Sequence, residues 1–551
     1  MMQTCSHSIR LRISEISKNS MKVHLKILTA SMMILLSTFV TSAQNNVIEV
    51  RGRLIDIRVA ERGAEAYPQY KGNRFGKSLP SEFDGMSYAV SLKEFSGPEE
   101  VRSSKKCTIL ISVCGFVSDT SCWKPTGVGF NINKDRYNFY STEYNTPGKW
   151  IPLPFCECGT PSKMLWAGQI KVVDTEQVPG IVIARTPELR KLNISNPNII
   201  IAHDGSYLAA CSNSVKGRET DIYRSTDEGK TWKKWSKGHY PINFFTLFEH
   251  RGKMYMIGVW TLKGHIIICE SDDMGRSWTF PSDENDDGVL FKGRFHSAPV
   301  PVVSHEGRLW RSFETDNEGE QRRSCVISCR AGADLMNPSN WVMTNELDYN
   351  SEWKTKSNGG VFRQWIEGCL VMTTEGELVN VIRVDEHEAG RTAAIIHVNS
   401  RKKISFDPET DIIEMPGGGK KFTVRYDSDS EKYWALVNPA DDSSMLMQHG
   451  GIYSKGIHAG LVRNRLVLIS STDLRNWNEE RTIIESDNPF FDGFQYADWQ
   501  FDGEDIIAVV RTAMEEERGL PKRQHDANML VFVRVNDFRK NLEGILINTL
   551  K

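Results

Sequence analysis

The sequence predicts an all-β protein, a six-bladed β-propeller preceded by a small β-sandwich-like domain. Two segments, Ser225–Trp232 and Ser271–Trp278, share the pattern Ser-x-Asp-x-Gly-x-Thr/Ser-Trp, and each follows an apolar run. In such a turn the Asp accepts bonds from backbone N–H groups, the Gly adopts a dihedral that other residues avoid, and the Trp packs between strands. Two copies therefore indicate a repeated β unit.

The unit recurs from residue 193 to residue 540. Each copy begins with an apolar strand, a tight turn and a second apolar strand, and two more strands follow, ending in the Ser-x-Asp turn or a remnant of it. Remnants lie at Ala333–Trp341 and Ser471–Trp477. A closed ring of such blades leaves only short, protected edges. The six first turns fall at Asp204-Gly205, Arg251-Gly252, Glu306-Gly307, Glu375-Gly376, residues 428–432 and Asp502-Gly503.

The N-terminal part of the chain does not fit this repeat. Residues 1–43 predict a signal peptide, in which a basic segment from Met21 (an alternative start site) precedes the apolar run Ile27–Val40. That run is too short to cross a bilayer, so we expect cleavage before Gln44, a periplasmic or secreted protein, and no transmembrane anchor after cleavage. For residues 44–165 the sequence predicts a small β domain. A structural role is favoured for this domain over carbohydrate binding. Residues 166–192 predict a linker or a ring-closing strand.

Charge and composition narrow the partners. The formal net charge is −2, without a basic stripe, which argues against nucleic acid as a partner. The 14 Trp and 15 Tyr suit blade packing and also stacking on sugars. Gly417–Lys420 lacks the spacing of a phosphate-binding loop and does not open a helix. A glycan or oligosaccharide is the expected partner.

The sequence offers no complete metal site. The pairs within Cys156–Cys158 and Cys325–Cys329 lack the partner pairs of a zinc centre. Asp385–His387 and His525–Asp526 each lack a full set of metal ligands. The favoured interpretation is that these side chains are charged groups on solvent-exposed loops. We therefore expect no bound metal.

The repeated turn resembles the Asp box of the sialidase (neuraminidase) superfamily, and the resemblance covers roughly residues 185–540. Asp boxes also occur in non-enzymatic propellers, so they support the fold more directly than the function. The resemblance implies three requirements: arginines that hold a substrate carboxylate, a tyrosine nucleophile assisted by a glutamate, and an acidic group at the leaving oxygen. This chemistry requires no cofactor.

Four residues match parts of that pattern. Glu367 and Arg383 resemble the family's Glu and Arg on two strands joined by a Glu-Gly turn. Arg463 precedes the Ser471 remnant, where the family's third arginine usually lies, and Tyr496 resembles the tyrosine that opens its strand. The resemblance implies that Tyr496 and Glu367 form the nucleophile pair and that Arg383 and Arg463 bind the carboxylate. Salt bridges and packing between blades are the alternative explanation.

Two positions depart from the family pattern. Ser195 lies where the first inner strand should carry an arginine, and the family's Asp would fall near Ser212. Upstream arginines and nearby carboxylates could replace them: Arg185, Arg190, Glu219 and Asp498. These departures put sialic acid in doubt as the substrate, though not a glycan.

Equivalent positions in other blades supply further candidates for the central axis, namely His296, Arg308, Arg311, Glu314 and Arg511. Of these, His296, Arg311 and Arg511 are expected to bind substrate. Four arginines around one axis (Arg311, Arg383, Arg463 and Arg511) would be costly without an anion or carboxylates to pair with. We therefore expect some of them to form salt bridges between blades.

The sequence favours a secreted glycoside hydrolase that removes a terminal, acidic sugar from a glycan. One alternative is hydrolysis of a different sugar by a carboxylate pair such as Glu367 and Asp498. The other is a lectin-like propeller, which needs the arginines and aromatic residues but no acid.

Overall fold

The computed structural model describes residues 43–540 except 45, 54, 65, 67–73, 76–77, 92–96, 116, 118–121, 155–162, 174–177, 214–218, 239, 357–359, 387–389, 441–456 and 458. The predicted signal peptide, apart from Ala43, lies outside the described residues, as do Cys156, Cys158 and His387. Within the described ranges, no helix has the length and apolarity needed to cross a membrane. Short 3-10 turns are found at Ser81–Phe83, Pro338–Asn340 and Ala459–Leu461.

The chain divides into two compact units. The first spans residues 1–175, 450–454 and 515–520, and the second spans residues 176–449, 455–514 and 521–551.

The first unit is a two-layer β-sandwich. Its strands are β1 (Val47–Arg53), β2 (Ile55–Val59), β3 (Ser87–Ser91), β4 (Gly97–Arg102), β5 (Cys107–Cys114), β6 (Lys124–Ile132), β7 (Asp135–Tyr144), β8 (Ile151–Pro152), β9 (Lys163–Ala167) and β10 (Gln169–Val172). They form one sheet in the order β10-β1-β4-β8 and another in the order β2-β3-β9-β5-β7-β6. Val50 and Val101 of the smaller sheet pack with Ile109 and Ile111 of the larger one in a shared core.

In the described residues of the second unit, the strands form six sheets. The first contains β12 (Ile194–Ile201), β13 (Tyr207–Asn213), β14 (Glu219–Ser225) and β15 (Lys233–Lys234); the second contains β16 (Ile242–His250), β17 (Lys253–Trp260), β18 (Ile266–Ser271) and β19 (Val289–Phe291). The third contains β20 (Phe295–His296), β21 (Val303–His305), β22 (Arg308–Thr315), β23 (Ser324–Arg330) and β24 (Trp341–Met343).

The remaining three sheets follow the same plan. The fourth contains β25 (Phe362–Met372), β26 (Leu378–Glu386), β27 (Thr392–Ser400), β28 (Lys403–Ser405) and β29 (Ile412–Glu414), and the fifth contains β30 (Val424–Asp427), β31 (Lys432–Val437), β32 (Arg465–Ser471) and β33 (Asn478–Glu485). The sixth contains β34 (Gly493–Asp502), β35 (Asp505–Ala513), β36 (Met529–Val535) and β11 (Ile181–Arg185). Because β11 pairs with β36, the sixth sheet joins a strand that precedes the first sheet to the last described strand.

Each predicted first turn joins two antiparallel strands of its sheet, the first two in five sheets and β21 with β22 in the third. Five of the six turns contain a glycine with φ between 63° and 86°, a conformation that glycine adopts without steric cost. The strands between the turns are rich in Val, Ile and aromatic residues, which suit a pleated sheet buried on both faces.

Hydrogen bonds between neighbouring sheets close the ring of a β-propeller. Asn198 Nδ2 donates to Phe245 O between the first and second sheets, Thr246 Oγ1 to Val300 O between the second and third, and Gly368 N to Glu314 Oε1 between the third and fourth. Val424 N donates to Cys369 Sγ between the fourth and fifth sheets, and Trp499 Nε1 to Thr423 O between the fifth and sixth. Finally, Ile199 N donates to Asp498 Oδ2. The last of these joins the sixth sheet to the first. The all-β propeller preceded by a β-sandwich is therefore confirmed.

The predicted position of the Ser-x-Asp turns, which resemble Asp boxes, is wrong by one strand. The sequence places them at the end of the fourth strand, whereas the structure places them between the third and fourth strands, at Ser225–Trp232, Ser271–Trp278 and Ser471–Trp477. Asp227 Oδ1 accepts from Thr231 N at 2.9 Å, and Ser225 Oγ accepts from Gly229 N at 2.9 Å. These bonds close a compact turn between two antiparallel strands, which explains why the box joins strands within a sheet.

The two box tryptophans make equivalent contacts but differ in burial. Nε1 of Trp232 donates to Gly229 O at 2.9 Å, and Nε1 of Trp278 donates to Gly275 O at 3.0 Å. Trp278 is buried, as predicted, whereas Trp232 is only half-buried.

Acid should weaken the box that holds Asp473. Burial raises the pKa of Asp473, but bonds from Asn476 and from the Arg475 N–H outweigh it and hold the pKa at about 2. Because this lies below the ordinary value of 3.8, the carboxylate stabilises the fold fully above that pH and loses its contribution as the pH falls towards about 2. We expect Asp473→Asn to flatten the fall of Tm in this pH range. An exposed control, Asp487→Asn, should leave the pH profile unchanged, and identical profiles for all three proteins would contradict the prediction.

Candidate active site

Four inner strands carry the same backbone distortion. Asn196, Phe244, Glu367 and Tyr496 have φ values of 53°, 50°, 62° and 56°, and the pairing register of each strand shifts at that residue. A positive φ in a residue other than glycine is strained, and such bulges re-aim side chains beside active sites. Two of these positions are the proposed nucleophile pair from the family resemblance.

Tyr496, Glu367 and Arg383 form a continuous chain of hydrogen bonds. The Tyr496 hydroxyl donates to Glu367 Oε1 at 2.7 Å, and Arg383 Nη1 donates to Glu367 Oε2 at 2.7 Å. Glu367 is buried, whereas Tyr496 is partly exposed. These hydrogen bonds therefore join three of the four residues that the resemblance singles out, from the fourth and sixth sheets.

The charges around the pair fix its protonation state. Burial raises the pKa of Glu367, but the charges of Arg383 and His296, together with the bond from Tyr496, lower it to about 2. Burial and the Glu367 carboxylate raise the pKa of Tyr496, against the opposing charges of three arginines. At neutral pH the phenol is therefore protonated, and it faces an ionised carboxylate that can take its proton.

Two more arginines flank the Tyr496 ring. The guanidinium carbons of Arg463 and Arg511 lie 5.5 Å and 5.2 Å from the ring centroid. Arg511 and Arg383 occupy equivalent positions in the repeat. Each is the cross-strand partner of the residue just before a bulge: Arg511 pairs with Gln495, and Arg383 pairs with Ile366. The repeat thus places one arginine beside each member of the nucleophile pair, Arg383 beside Glu367 and Arg511 beside Tyr496.

Arg463 has donors that are not used by the described residues. It is 3% exposed, and Nη2 donates to Gly460 O at 3.3 Å. Nε and Nη1 are buried and have no hydrogen-bond partner within the described part of the chain. Burial, and then the charges of Arg383 and Arg511, lower the pKa of Arg463 to about 10. An anion bound here would satisfy these donors and offset the repulsion between the arginines.

Gly368, which follows Glu367, is required for close packing. A Cβ at Gly368 would lie 2.4 Å from Asn380 Oδ1 and 2.6 Å from Ser312 Oγ, so any side chain here would displace these two buried residues. Gly368 N donates to Glu314 Oε1 at 3.2 Å, and this bond ties the Glu367 bulge to the third sheet.

His296 is placed beside this site. Its Nδ1 lies 2.9 Å from Glu314 Oε2, its ring packs on Phe244 at 4.3 Å between centroids, and its charge lowers the pKa of Glu367. Both His296 and Glu314 are buried. This position is compatible with the predicted contact to a substrate.

Arg311 is used in packing between the second and third sheets. It is fully buried, and Nη2 donates to Phe244 O at 2.6 Å, Ala298 O at 2.9 Å and Thr246 Oγ1 at 3.1 Å. These contacts correspond to the alternative explanation, a bond between blades, and they do not support the predicted role in substrate binding. Arg308 likewise bonds within its own sheet, to Ser328.

Replacing Arg311 should reduce stability rather than binding. Arg311→Met would leave three buried oxygen acceptors without their donor, so we expect the free energy of unfolding to fall by about 3 kcal/mol. KM for any substrate should stay within twofold of the wild type. Arg330→Met, at an exposed position in the same sheet, is the control for stability. Unchanged denaturation of Arg311→Met together with a large rise in KM would show that Arg311 binds substrate.

Arg185 lies away from the inner strands. It is an exposed residue on β11, the outermost strand of the sixth sheet, and its Nη1 donates to Met529 Sδ. The placement offers no support for Arg185 as the replacement for the missing first arginine. Arg511 on β35 is better placed for that role.

Asp498 lines a cavity to which neither Tyr496 nor Glu367 contributes. Its Oδ2 accepts from Ile199 N at 2.9 Å, and its charge is opposed by Lys421 and Arg425. The cavity, of about 140 Å³, is also lined by Thr246, Pro301, Arg425 and Gln500 among others. Because this carboxylate is used to close the ring, the geometry does not favour the alternative in which Asp498 and Glu367 act as a pair.

The two serines of the first sheet face each other. Ser195 and Ser212 are buried register partners, and Ser195 Oγ donates to Ser212 O at 3.5 Å. Glu219 begins β14 and is half-buried, and residues 214–218 before it lie outside the described residues. The first sheet therefore supplies hydroxyl groups where the family pattern has an arginine and an acid.

Sequence reasoning missed two buried lysines beneath the site. Lys421 Nζ donates to Ala497 O at 2.8 Å, directly after Tyr496, and to Thr423 Oγ1 at 2.9 Å. Burial lowers the pKa of Lys421 to about 8. Lys420 Nζ donates to Asn438 O at 2.9 Å. The glycines before these lysines signalled only a turn, so nothing local in the sequence marked Lys421 as support for the Tyr496 bulge.

The described residues contain no cluster of three or more His, Cys, Asp or Glu side chains that could hold a metal ion. Neither Cys325 nor Cys329 forms a disulfide, and both are buried.

No protein-family model matches the chain, and no curated protein matches it. Similar solved structures include an α-L-arabinofuranosidase from Fusarium graminearum, 13% identical over 65% of this chain and 98% of that one, with a TM-score of 0.43. A Trypanosoma rangeli sialidase is 16% identical over 62% of this chain and 55% of that one, with a TM-score of 0.40. A Hadza microbial sialidase is 10% identical over 90% of this chain and 100% of that one, with a TM-score of 0.41. The solved structures similar to this chain thus include glycoside hydrolases of more than one substrate class.

Proposed function

We propose that the protein is a retaining glycoside hydrolase that uses Tyr496 as its nucleophile on a terminal, acidic sugar. The observation that carries the proposal is the 2.7 Å hydrogen bond from the Tyr496 hydroxyl to the ionised, buried Glu367 carboxylate. A phenol with a raised pKa is a weak nucleophile, and an adjacent base is the usual means of activating one.

The reaction begins with transfer of the phenolic proton to Glu367. The Tyr496 oxygen attacks the anomeric carbon as the bond to the leaving oxygen breaks, and water later releases the sugar by the reverse route. A carboxylate nucleophile would repel a substrate that carries its own carboxylate near the anomeric carbon, whereas a phenol approaches it without charge. This difference explains why a tyrosine suits an acidic sugar.

The arginines supply the recognition of the sugar's carboxylate. Arg463 has two buried donors that the described residues do not use, Arg511 lies beside the Tyr496 ring, and Arg383 bonds to Glu367. A planar guanidinium can hold a carboxylate through two parallel bonds, which an ammonium cannot. We infer that an anionic group of the substrate lies against Arg463.

The substrate is an acidic sugar other than sialic acid, or sialic acid as a poor substrate. This follows from Ser195 and Ser212, which take the places of the first arginine and the acid in the sialidase pattern. The predicted signal peptide implies that hydrolysis takes place in the periplasm or outside the cell.

A panel of matched aryl glycosides tests this function. Each acidic glycoside is paired with a neutral analogue that lacks only the charged carboxylate: an aryl glycoside of a 2-ulosonic acid, whose carboxylate is on the anomeric carbon, with its amide, and an aryl glucuronide with the aryl glucoside. We expect turnover of at least one acidic member, a kcat/KM at least about tenfold below it for its neutral partner, and retention of the anomeric configuration by NMR. Inversion would contradict the Tyr496 mechanism, and binding without turnover of any member would favour the lectin-like alternative.

A further inference from the structure

The loop that carries His525 is fixed to the site at three points. Gln495 Nε2, next to Tyr496, donates to Gln524 O at 2.7 Å and to His525 O at 3.1 Å. Arg511 Nη2 donates to His525 O at 2.6 Å. Gln524 Nε2 donates to Leu461 O at 2.8 Å, two residues before Arg463. All three anchors use backbone carbonyls of the loop or the Gln524 amide, so the His525 side chain takes no part in holding the loop.

The His525 side chain forms a dyad with Asp526. The two groups are 3.0 Å apart through Nδ1 and Oδ1, and Arg523 Nε lies 3.1 Å from the second oxygen of Asp526. Burial raises the pKa of Asp526, but His525 and Arg523 outweigh it and hold the pKa below its usual range. An ionised carboxylate only accepts hydrogen bonds, so Nδ1 carries the proton and donates it to Asp526.

The other ring nitrogen, Nε2, is available for proton transfer. It has no hydrogen-bond partner in the described part of the chain, and the side chain is 30% exposed. Burial and the charge of Arg511, and to a smaller extent that of Arg463, lower the pKa of His525 to about 3, whereas the bond to Asp526 opposes them. Without substrate the imidazole is therefore neutral at neutral pH, and Nε2 is a proton acceptor.

We propose that His525 Nε2 exchanges a proton with the glycosidic oxygen and then with the attacking water, and so fills the role of the acid that the first sheet lacks. The proposal rests on the proposed function. It gives a role to the His525–Asp526 pair that the sequence offered only as an incomplete metal site.

The two half-reactions balance with His525 as the second proton carrier. In the first, Nε2–H gives its proton to the leaving oxygen as that bond to the anomeric carbon breaks, while Tyr496 bonds to the carbon and its own proton moves to Glu367. In the second, Nε2 takes a proton from water as the water oxygen bonds to the carbon. The bond to Tyr496 then breaks, and Glu367 returns the proton to the phenol.

Substrate binding supplies the protonated imidazole that the first half-reaction needs. Burial and the charges of Arg511 and Arg463 disfavour the imidazolium, and Asp526 favours it. A substrate carboxylate held by the two arginines offsets their charges, so binding raises the pKa of His525 and makes the imidazolium easier to form than in the free enzyme. The acid is thus available when a substrate with the right charge is present.

Leaving-group dependence of His525→Gln tests the proposal. The probes are two glycosides of one sugar, a 2,4-dinitrophenyl glycoside that needs no protonation to leave and a methyl glycoside that does. The value of kcat/KM reports the first half-reaction. For the variant we expect it to fall at least about 10²-fold on the methyl glycoside and less than about tenfold on the dinitrophenyl glycoside. Azide should restore turnover of the dinitrophenyl glycoside by replacing water. Asp526→Asn, which removes the partner of Nδ1, should show the same selectivity to a smaller degree.

Equal losses on both glycosides, or no loss on either, would overturn the role of His525. The wild-type Tm in His525→Gln separates a chemical effect from unfolding. The proposed function is tested separately. Full activity of Tyr496→Phe would exclude Tyr496 as the nucleophile, whatever the result with His525→Gln. If Tyr496→Phe is inactive but His525→Gln loses activity equally on both glycosides, only the role of His525 as proton carrier is excluded.

Discussion

Tyr496→Phe should lower kcat by at least about 10³-fold on every substrate that the wild type hydrolyses, because the change removes the nucleophile itself. The lost hydroxyl makes its described hydrogen bond to Glu367, and the ring that packs against Arg463 and Arg511 remains. KM should therefore change by no more than a few-fold. Steady-state kinetics on the substrate found in the glycoside panel provide the measurement.

The chain contains a matched control for this change. Tyr207 is a buried tyrosine whose hydroxyl donates to a carboxylate, Asp502, at 2.6 Å, as Tyr496 does to Glu367. Tyr207→Phe should lose stability from the missing bond and keep its kcat. Full activity in Tyr496→Phe, or equal losses of kcat in both variants, would show that the phenol is not the nucleophile.

Arg463→Met should raise KM for an acidic substrate by about 10- to 100-fold, the loss expected when one or two charged hydrogen bonds are removed. Two of the guanidinium donors are buried without partners in the described residues, so the wild-type side chain gives up few bonds on binding a carboxylate. Stability should not fall, since the change removes one of several neighbouring positive charges. The neutral partner glycoside should show little change.

Arg465→Met is the control for Arg463→Met. Arg465 lies two residues further on and forms surface ion pairs with Glu479 and Glu485. Its replacement should leave KM unchanged. A normal KM in Arg463→Met, or an equal rise for the acidic and neutral glycosides, would exclude Arg463 as the carboxylate-binding group.

The blade pattern could be predicted from the sequence because its signals are local. A glycine with positive φ and two flanking apolar runs identify five of the six first turns, wherever the blade lies in the ring. The position of the Ser-x-Asp turn within its sheet could not be predicted in the same way. The turn is followed by another strand, and in the first sheet that strand is only Lys233–Lys234, too short to recognise in the sequence.

The arginines show what the sequence could not supply. Arg311, Arg463 and Arg511 are alike in type and in nearness to an inner strand, but their surroundings differ. Arg311 meets carbonyl oxygens of the neighbouring sheet, whereas Arg463 meets the Tyr496 ring and other arginines. These differences depend on the neighbouring blade. The bulges at Glu367 and Tyr496 likewise have no signal in residue type, since both residues are unusual at positive φ.

Covalent labelling of Tyr496 tests the central claim most directly. A fluorinated, activated derivative of the preferred sugar slows release of the sugar from the enzyme, so the intermediate accumulates and can be mapped by peptide mass spectrometry. We predict one adduct per chain, attached to the Tyr496 side chain, and none in Tyr496→Phe. An adduct on Glu367 or Asp498, or turnover of the derivative with inversion and no adduct, would contradict a tyrosine nucleophile.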